Sequence, residues 1–277
     1  MNYRILINIT LLYSCVLFFS PTSNAELIFS APPRESKQAG IDLYGPLVEH
    51  LSELIGEKVS YQYPKNWLQY QRNLRKGKYD IVFDGPHLVS WRMANLNHEV
   101  LVKLPGKLEF LVITDAQNAE IKNIKDLIGK KICAIPPPDL STLMAINLFS
   151  NPARQPIIWG VKGGNGRVFE AFESGECSAM VLRSSYYLKK LRAENRANKT
   201  ILYKSIPLPN QAISVSRRIK KIDRLRIIRS LTLGKGRRIS IPIANRFGGN
   251  KARPFVAATK KEYRRHRNLL EDVVFGW

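Results

Sequence analysis

Histidine and cysteine are scarce in this sequence, with four and three residues among 277. The chain has no Gly-x-Ser-x-Gly turn, no pair of histidines at the spacing of a metal site and no glycine-rich nucleotide loop. So few histidines leave little for general acid–base chemistry. We therefore expect a protein that is not an enzyme and that carries no metal or cofactor.

Acidic residues are also few. The chain has 22 Asp and Glu against 44 Lys and Arg, which gives a formal net charge of +22. This excess favours anionic ligands, anionic membrane surfaces or acidic partners, and it says nothing about the fold. Hydrophobic residues make up 44% of the chain, which is enough for a sizeable core and excludes disorder. The length suggests two domains of modest size.

Only one stretch is apolar enough to concern a membrane, residues 5–19, and it follows the basic residue Arg4. This stretch is short and interrupted for a membrane span, and the small residues Ser23 and Ala25 follow it. The pattern predicts a secretory signal peptide over residues 1–25, cleaved after Ala25, and a mature protein in the periplasm. An uncleaved membrane anchor is the alternative.

Two cysteines, Cys133 and Cys177, remain after the predicted cleavage. Each lies in a short apolar run that is typical of a strand, and the compartment is oxidising. They could form a disulfide, or they could be two separate buried thiols. Two cysteines with no nearby histidine make a poor zinc site.

From residue 26 onward, strand-like and helix-like segments alternate. The strand-like segments occur at residues 27–30, 58–63, 79–83, 131–135, 156–161 and 177–182. The helix-like segments occur at residues 45–55, 67–75, 141–149 and 167–174. Pro46 and Gly56 mark the two ends of the first predicted helix. Because strand–helix–strand repeats favour parallel sheets, the sequence predicts two α/β units.

The C-terminal third is the most basic part of the chain. Between Arg217 and Arg229, seven cationic residues surround Ile222, Leu225, Ile227 and Ile228. This pattern is typical of an amphipathic helix with a cationic face, whose apolar side packs onto the first α/β unit. We expect no nucleic-acid partner, because exported proteins seldom meet one. An acidic partner or a membrane surface remains open.

Several short motifs fit one family of proteins. They are Tyr44-Gly45-Pro46-Leu47, Lys76-Gly77-Lys78-Tyr79-Asp80-Ile81, Gly85-Pro86, Ser141-Thr142 and Phe172-Glu173-Ser174-Gly175-Glu176. As a set they resemble the periplasmic phosphonate and phosphite binding proteins of ABC importers, over nearly all of residues 26–277.

The resemblance implies a type 2 periplasmic binding fold of the α/β class, with two lobes that are each a mostly parallel sheet flanked by helices. Lobe 1 would comprise residues 26–111 and 210–277, and lobe 2 residues 112–209. Two hinge strands, near residues 110–113 and 212–215, would join them. A monomer of this kind would capture a small anion between its lobes, outside the carboxyl ends of the strands, and present it to an ABC permease.

Ser141 and Thr142 follow a proline-rich turn and are predicted to start a helix. Free backbone N–H groups and the positive end of the helix dipole attract an oxyanion at such a position, and two hydroxyls add donors. Ordinary helix capping is the alternative explanation for the same residues. With the resemblance, we predict that the anion binds at this helix start.

Three ring-bearing side chains and one arginine complete the expected pocket. Tyr44 matches a pocket tyrosine of the family, and its hydroxyl could donate to a ligand oxygen. Trp67 and His87 follow the second and third strands and are candidate walls, with His87 also a candidate donor to an anion. Arg34 follows the first strand and could meet the anion or face water. Packing roles are the alternatives for Tyr44 and His87.

Two residues depart from the family pattern. Asn165 stands where the family commonly has a histidine, and Arg183 stands where binders of aminoalkylphosphonates have an aspartate. A guanidinium suits carboxylate or phosphate oxygens rather than an ammonium group. We therefore expect a small, fully anionic ligand, which is held from both sides if Arg183 and Arg167 both face the cleft.

The sequence does not separate uptake from sensing. The alternative function is a ligand-sensing or accessory periplasmic protein of the same fold, acting with a membrane histidine kinase or a redox system. In that case Cys133 and Cys177 would matter as thiols, for example toward a soft oxyanion such as arsenite.

Overall fold

The structure is a computed structural model that describes residues 26–248, 253–266 and 268–271. The predicted signal peptide lies outside these residues. Within them, no helix combines the length and the apolar character that crossing a membrane requires.

Strands and helices alternate along the chain, as the periodicity predicts. The strands are β1 Leu27–Ser30, β2 Val59–Tyr61, β3 Ile81–Asp84, β4 Glu99–Lys103, β5 Lys107–Leu108, β6 Phe110–Asp115, β7 Lys131–Ala134, β8 Ile157–Gly160, β9 Ala179–Arg183, β10 Lys199–Lys204, β11 Leu208–Pro209, β12 Ala212–Val215 and β13 Val256–Ala257. The helices are α1 Lys37–Ile55, α2 Trp67–Arg75, α3 Pro86–Asn95, α4 Leu140–Ile146, α5 Asn165–Glu173, α6 Ser184–Lys189, α7 Ala193–Ala197, α8 Lys221–Thr232, α9 Gly236–Ile239, α10 Ile241–Gly248, α11 Lys260–Tyr263 and α12 Asn268–Glu271.

The strands form two main sheets and a short ribbon. The six-stranded sheet has the order β13-β4-β12-β3-β1-β2, and the five-stranded sheet has the order β10-β6-β9-β7-β8. In the first sheet β1 is parallel to β2 and β3, and β12 runs antiparallel between β3 and β4. In the second, β7 is parallel to β8 and β9, and β6 is antiparallel to β9 and β10. Most strands of each sheet therefore share one direction, in agreement with the predicted α/β class.

The chain passes twice between the two sheets, first from β4 to β6 and later from β10 to β12. These crossings contain β5 and β11, which pair with each other. The predicted hinge segments, residues 110–113 and 212–215, lie inside β6 and β12, where sheet hydrogen bonds hold them. The crossings therefore adjoin these segments, and the lobe boundaries and the hinges stay predictions.

The first helix begins earlier than the sequence predicts. The side chain of Ser36 accepts a hydrogen bond from the backbone N–H of Ala39 at 3.3 Å, and the helix runs on through Gly45 and Pro46. Pro46 is exposed, so water can reach the backbone carbonyl that loses its helical partner. The prediction that Gly45-Pro46 opens the helix is wrong, and Tyr44 lies in the middle of α1.

The core of the six-stranded sheet receives the inner face of α8. Ile227 lies fully buried there beside side chains such as Phe29 and Phe83. Ile222 and Leu225 are instead 53% and 56% exposed. At about 100° per residue both project away from the side of Ile227, so the prediction that the whole apolar set of this helix packs inward is wrong for these two residues.

Cys133 in β7 and Cys177 ahead of β9 form a disulfide, with their Cα atoms 5.6 Å apart. The two strands are neighbours, and Cys133 is opposite Met180 in their pairing. Of the two alternatives that the sequence leaves open, the structure has the disulfide. The hypothesis that these cysteines serve as thiols toward a soft oxyanion is wrong for this form, because bonded sulfurs offer no thiolate.

Candidate functional site

A cavity of about 810 Å³ lies between the two sheets. Its walls come from segments that follow strands of both sheets. From the first sheet they include Arg34, Lys65, Trp67, Gly85 and His87. From the second they include Asp139, Ser141, Lys162, Asn165 and Arg183. The carboxyl ends of parallel strands thus bring these side chains to one space, which is where open α/β sheets bind their ligands.

The cavity is strongly cationic. Its positively charged lining residues are Arg34, Lys65, Lys162, Arg183, Lys189, Lys190 and Arg246. Among the described residues, Asp139 is the one carboxylate in the lining. Charges of one sign around a concave, low-dielectric space raise the local concentration of solutes of opposite charge. The cavity therefore favours an anion over a neutral or cationic solute.

Arg34 lines the cavity from the segment after β1. Its guanidinium carbon lies 5.6 Å from the ring centre of Phe247, and its Nη1 atom is buried with no hydrogen-bond partner in the described part of the chain. A buried N–H without an acceptor costs free energy, so this group is ready to donate to an anion. Gly85 leaves room for the side chains of Arg34 and His87. A Cβ added at this position would lie 2.8 Å from Cε1 of His87 and 3.9 Å from Nη2 of Arg34.

Arg183 ends β9 and reaches across the cavity. Its Nη1 atom donates to the backbone carbonyl of Phe247 at 2.9 Å, at the carboxyl end of α10. Its Nε atom is buried with no partner among the described residues. Burial and, to a smaller extent, the nearby Arg34 guanidinium lower the pKa of Arg183 to about 10, and Asp139 opposes both. The side chain stays charged at neutral pH and keeps a free donor.

His87 is 1% exposed and lies in the first turn of α3. Burial lowers the pKa of His87 to about 4, so the ring is neutral at physiological pH. Its Nε2 atom lies 3.2 Å from the carbonyl oxygen of Pro138 and must donate to it, which leaves Nδ1 as an acceptor. The expectation that His87 donates to an anion is wrong for this arrangement, although the residue does line the cavity.

The helix start at Ser141 is already occupied by a carboxylate. Asp139 caps α4, and its Oδ1 atom accepts from the backbone N–H of Ser141 at 2.9 Å and from the Ser141 hydroxyl at 2.5 Å. Thr142 is fully buried and donates its hydroxyl to the carbonyl of Ile135, so it does not line the cavity. An anion at this helix start would have to compete with the Asp139 carboxylate for the Ser141 donors, and the predicted anion site there stays a prediction.

Tyr44 is another predicted pocket residue that the structure places elsewhere. It is 2% exposed, and its ring lies 5.6 Å from Phe29, 5.3 Å from Tyr61 and 6.3 Å from Phe83. These distances are those of a packed aromatic cluster in the core of the first sheet. The packing alternative accounts for Tyr44, which is not among the described residues that line the cavity.

Asn165 is the first residue of α5 and lines the cavity with Gly163 and Gly164. Its side-chain oxygen accepts from the backbone N–H of Arg183 at 2.9 Å, which ties the start of α5 to the end of β9. The two glycines have φ values of 101° and 87°, a region that side chains disfavour. Within the described part of the chain no side chain caps the start of this nine-residue helix, so its first N–H groups have no resident carboxylate.

The remaining predicted residues divide between the cavity and its surroundings. Trp67 begins α2 and lines the cavity, with its ring at 90° to that of Tyr70. Arg167 pairs with Glu170 at 2.7 Å and is not among the described lining residues, so it does not oppose Arg183. Trp67, His87, Ser141, Asn165 and Arg183 thus meet at one cavity, whereas Tyr44 and Thr142 do not. Ligand contact by the first five stays a prediction.

Sequence reasoning missed Arg246. It lies on α10, pairs with Glu35 at 2.8 Å, and its guanidinium carbon lies 5.1 Å from the ring centre of Phe247. No local sequence pattern indicates that Arg246 lines the cavity, because it gets there only when the C-terminal part of the chain returns to the first sheet. Lys189 and Lys190 had a weak local signal, since they follow a strand and a short helix.

A family model matches residues 29–263 of the chain, and its description is ABC transporter, phosphonate, periplasmic substrate-binding protein. The chain belongs to this family. Its members are substrate-binding proteins of transporters that act in the periplasm, as the motifs around Gly85-Pro86 and Ser141-Thr142 predict. No curated protein matches the sequence.

Solved structures agree with a two-lobed periplasmic binding fold. PhnD1 from Prochlorococcus marinus, in complex with methylphosphonate, is 13% identical with a TM-score of 0.65, covering 88% of this chain and 96% of that chain. XAC2383 from Xanthomonas citri, bound to ATP, is 12% identical with a TM-score of 0.69, over 88% and 95%. A binding-protein component of an ABC phosphonate transporter from Pseudomonas aeruginosa is 12% identical with a TM-score of 0.59, over 88% and 85%. At such identities the likeness concerns the fold.

In this family member a buried ion pair lies next to the turn that carries Gly85 and His87. Arg92 donates from Nη1 and Nη2 to the two carboxylate oxygens of Asp84, each at 2.8 Å, and both side chains are inaccessible to water. The hydroxyl of Tyr70 adds a hydrogen bond to Asp84 at 2.5 Å, and Arg92 also donates to Ser214. Because Asp84 directly precedes Gly85, this network fixes the turn on which Gly85 and His87 are carried.

Proposed function

We propose that this protein captures a small, fully anionic oxyanion of the phosphonate, phosphite or phosphate class in the cavity and delivers it to an ABC permease. The observation that carries the proposal is a pair of guanidinium groups, Arg34 and Arg183, each with a buried nitrogen that has no partner among the described residues. The described residues that line the cavity with them bring the total to seven cations and one carboxylate. The relative from Prochlorococcus marinus binds methylphosphonate, which belongs to this class.

The two arginines come from different sheets. Arg34 follows β1 and Arg183 ends β9, so an oxyanion between them would receive donors from both sides. A hydrogen bond to a charged group contributes about 1.5–3 kcal/mol, and guanidinium geometry suits phosphate oxygens. The uncapped start of α5 offers backbone N–H groups and the positive end of a helix dipole. We assign the anion to this end of the cavity, away from Asp139.

The mechanism is capture without covalent chemistry. The anion binds both walls, and water leaves as the lobes approach, which strengthens each polar contact. The ligand favours the closed form only by the difference between its affinities for the two forms. The permease would recognise that closed form on the periplasmic side of the membrane, after export directed by the N-terminal apolar segment.

Isothermal titration calorimetry tests the proposal directly. The purified protein is titrated with phosphate, phosphite, methylphosphonate, 2-aminoethylphosphonate, sulfate and a dicarboxylate. Arg183→Gln and Arg34→Gln are each expected to weaken the preferred anion by about 10- to 100-fold, since each removes a charge-assisted donor. The aminoalkyl compound is expected to bind less tightly than the methyl compound.

Arg167→Gln is the matched control, because it removes the same charge from an exposed residue beside the cavity. Its affinity should stay within about twofold of the parent, as expected for an exposed ion pair. Equal losses in Arg167→Gln and Arg183→Gln would show that net charge alone attracts the anion. Tight binding of the dicarboxylate, with none of the phosphorus oxyanions, would reject the ligand class.

A further inference from the structure

Outside the cavity, the outward side of α8 combines large apolar and cationic side chains. Ile222 and Leu225 on the helix, and Leu233 directly after its last residue, are 53%, 56% and 78% exposed. Lys221, Arg226 and Arg229 lie between and beside them and are also exposed. We call these six residues the α8 outer face. Their spacing of three and four positions puts them on one side of the helix.

This face carries no acidic residue. Residues 217–238 contain ten Lys and Arg and a single acid, Asp223. Asp223 is 4% exposed and pairs with Arg226 at 2.9 Å from the inner side. Lys221 and Arg229 form no ion pair with any residue that the structure describes. The face is therefore cationic with aliphatic side chains beside the charges.

We propose that the α8 outer face binds the surface of an anionic phospholipid bilayer. Scattered single apolar residues on a surface need no explanation, but three on one helix side beside Lys221 and Arg229, which form no ion pair with a described residue, match the composition of a helix that lies in a membrane interface. The aliphatic side chains enter the boundary between headgroups and acyl chains, and the cations meet the lipid phosphates. A polyanion such as nucleic acid would use the cations and would gain little from the leucines.

The position of the face supports a role separate from ligand capture. None of its six residues lines the cavity among the described residues. The inner side of α8, with Ile227 and Leu231, is anchored in the core of the first sheet, so the outer face is held rigidly. A protein bound in this way would stay close to a membrane-embedded partner, with the interlobe cavity free to open.

Vesicle co-sedimentation tests the proposal, with phosphatidylglycerol mixed into phosphatidylcholine as the anionic bilayer and pure phosphatidylcholine as the neutral one. The exported protein should bind the anionic vesicles and release in high salt. Lys221→Gln combined with Arg229→Gln should weaken the binding by about 25-fold, since each cation near the surface contributes about fivefold. Ile222→Ser, Leu225→Ser and Leu233→Ser together should weaken it by about tenfold or more.

Matched controls use residues of similar exposure elsewhere. Ile41→Ser, Leu68→Ser and Ile206→Ser together replace side chains that are 41%, 64% and 66% exposed, and Lys76→Gln with Lys78→Gln removes two exposed charges. Both controls should bind within about twofold of the parent, and circular dichroism verifies that every variant is folded. Mass spectrometry of each protein establishes the same N-terminus, so that residues 5–19 do not differ between samples.

Three results would overturn the proposal. If the control variants lose as much vesicle affinity as the α8 variants, the protein binds vesicles through its net charge and with no preferred surface. Full binding by the triple serine variant of α8 would mean that the contact is purely Coulombic and that no side chain enters the bilayer. A change from dimer to monomer in the triple serine variant, seen by light scattering, would mean that a second copy of this chain covers the face.

Discussion

Replacing Asp84 by asparagine tests how much the buried Asp84–Arg92 ion pair, next to the turn with Gly85 and His87, contributes to stability. The substitution keeps the shape of the side chain but removes its charge, and it leaves the Arg92 guanidinium buried at 1% exposure without a counter-ion. The structure gives this pair two hydrogen bonds of 2.8 Å and further contacts from Tyr70 and Ser214. Removing the charge of one partner leaves the other buried and unpaired, which lowers the free energy of unfolding by about 3–5 kcal/mol. That is a large fraction of the roughly 5–15 kcal/mol that stabilises a typical domain.

Urea unfolding followed by circular dichroism gives the loss in the free energy of unfolding. Asp84→Leu combined with Arg92→Met should recover most of it, because the cost comes from an uncompensated charge rather than from the lost contact itself. Glu120→Gln is the control, since its ion pair with Lys130 is exposed and should matter little. A loss below about 1 kcal/mol in Asp84→Asn, or a double variant as unstable as the single one, would refute the reasoning.

Three further predictions concern the disulfide, the buried histidine and the resident carboxylate. Cys133→Ser with Cys177→Ser should lose about 4 kcal/mol of stability, because the bond closes a loop of some 45 residues; an unchanged melting temperature would contradict this. Burial lowers the pKa of His87 to about 4 against about 6.5 when unfolded, so stability is complete above pH 6.5 and falls by about 3 kcal/mol toward pH 4. His87→Gln should flatten that fall, and equal pH slopes in both proteins would count against it. Asp139→Asn should tighten anion binding by about two- to fivefold in calorimetry, because it removes a negative charge from the cavity lining, and weaker binding would show that this carboxylate serves the ligand.

The alternation of strands and helices could be predicted because it rests on local periodicity. Each predicted strand has a counterpart in the structure, and their order determines which ends meet. The start of α1 could not be predicted in the same way. Pro46 is normally a signal for a first turn, but an exposed proline is tolerated inside a long helix whose other face is anchored in a core.

Residues of the candidate site could be predicted where their position at or after the end of a strand determines that they line the cavity. Arg34, Trp67, His87, Asn165 and Arg183 follow or end strands, and all five line the cavity. The cap at Asp139 was not predicted, although aspartate is among the strongest helix caps and stands two residues before Ser141.

The bond between Arg183 and the carbonyl of Phe247 bears on how the two halves of the protein separate. It links the end of β9 to α10, which packs on the other sheet. Any parting of the two halves breaks it, at a cost of about 1.5–3 kcal/mol for a charged donor. Because both partners of this bond belong to the protein, the approach of the two halves does not by itself report a bound ligand, and a docking transporter must sense the ligand by something more.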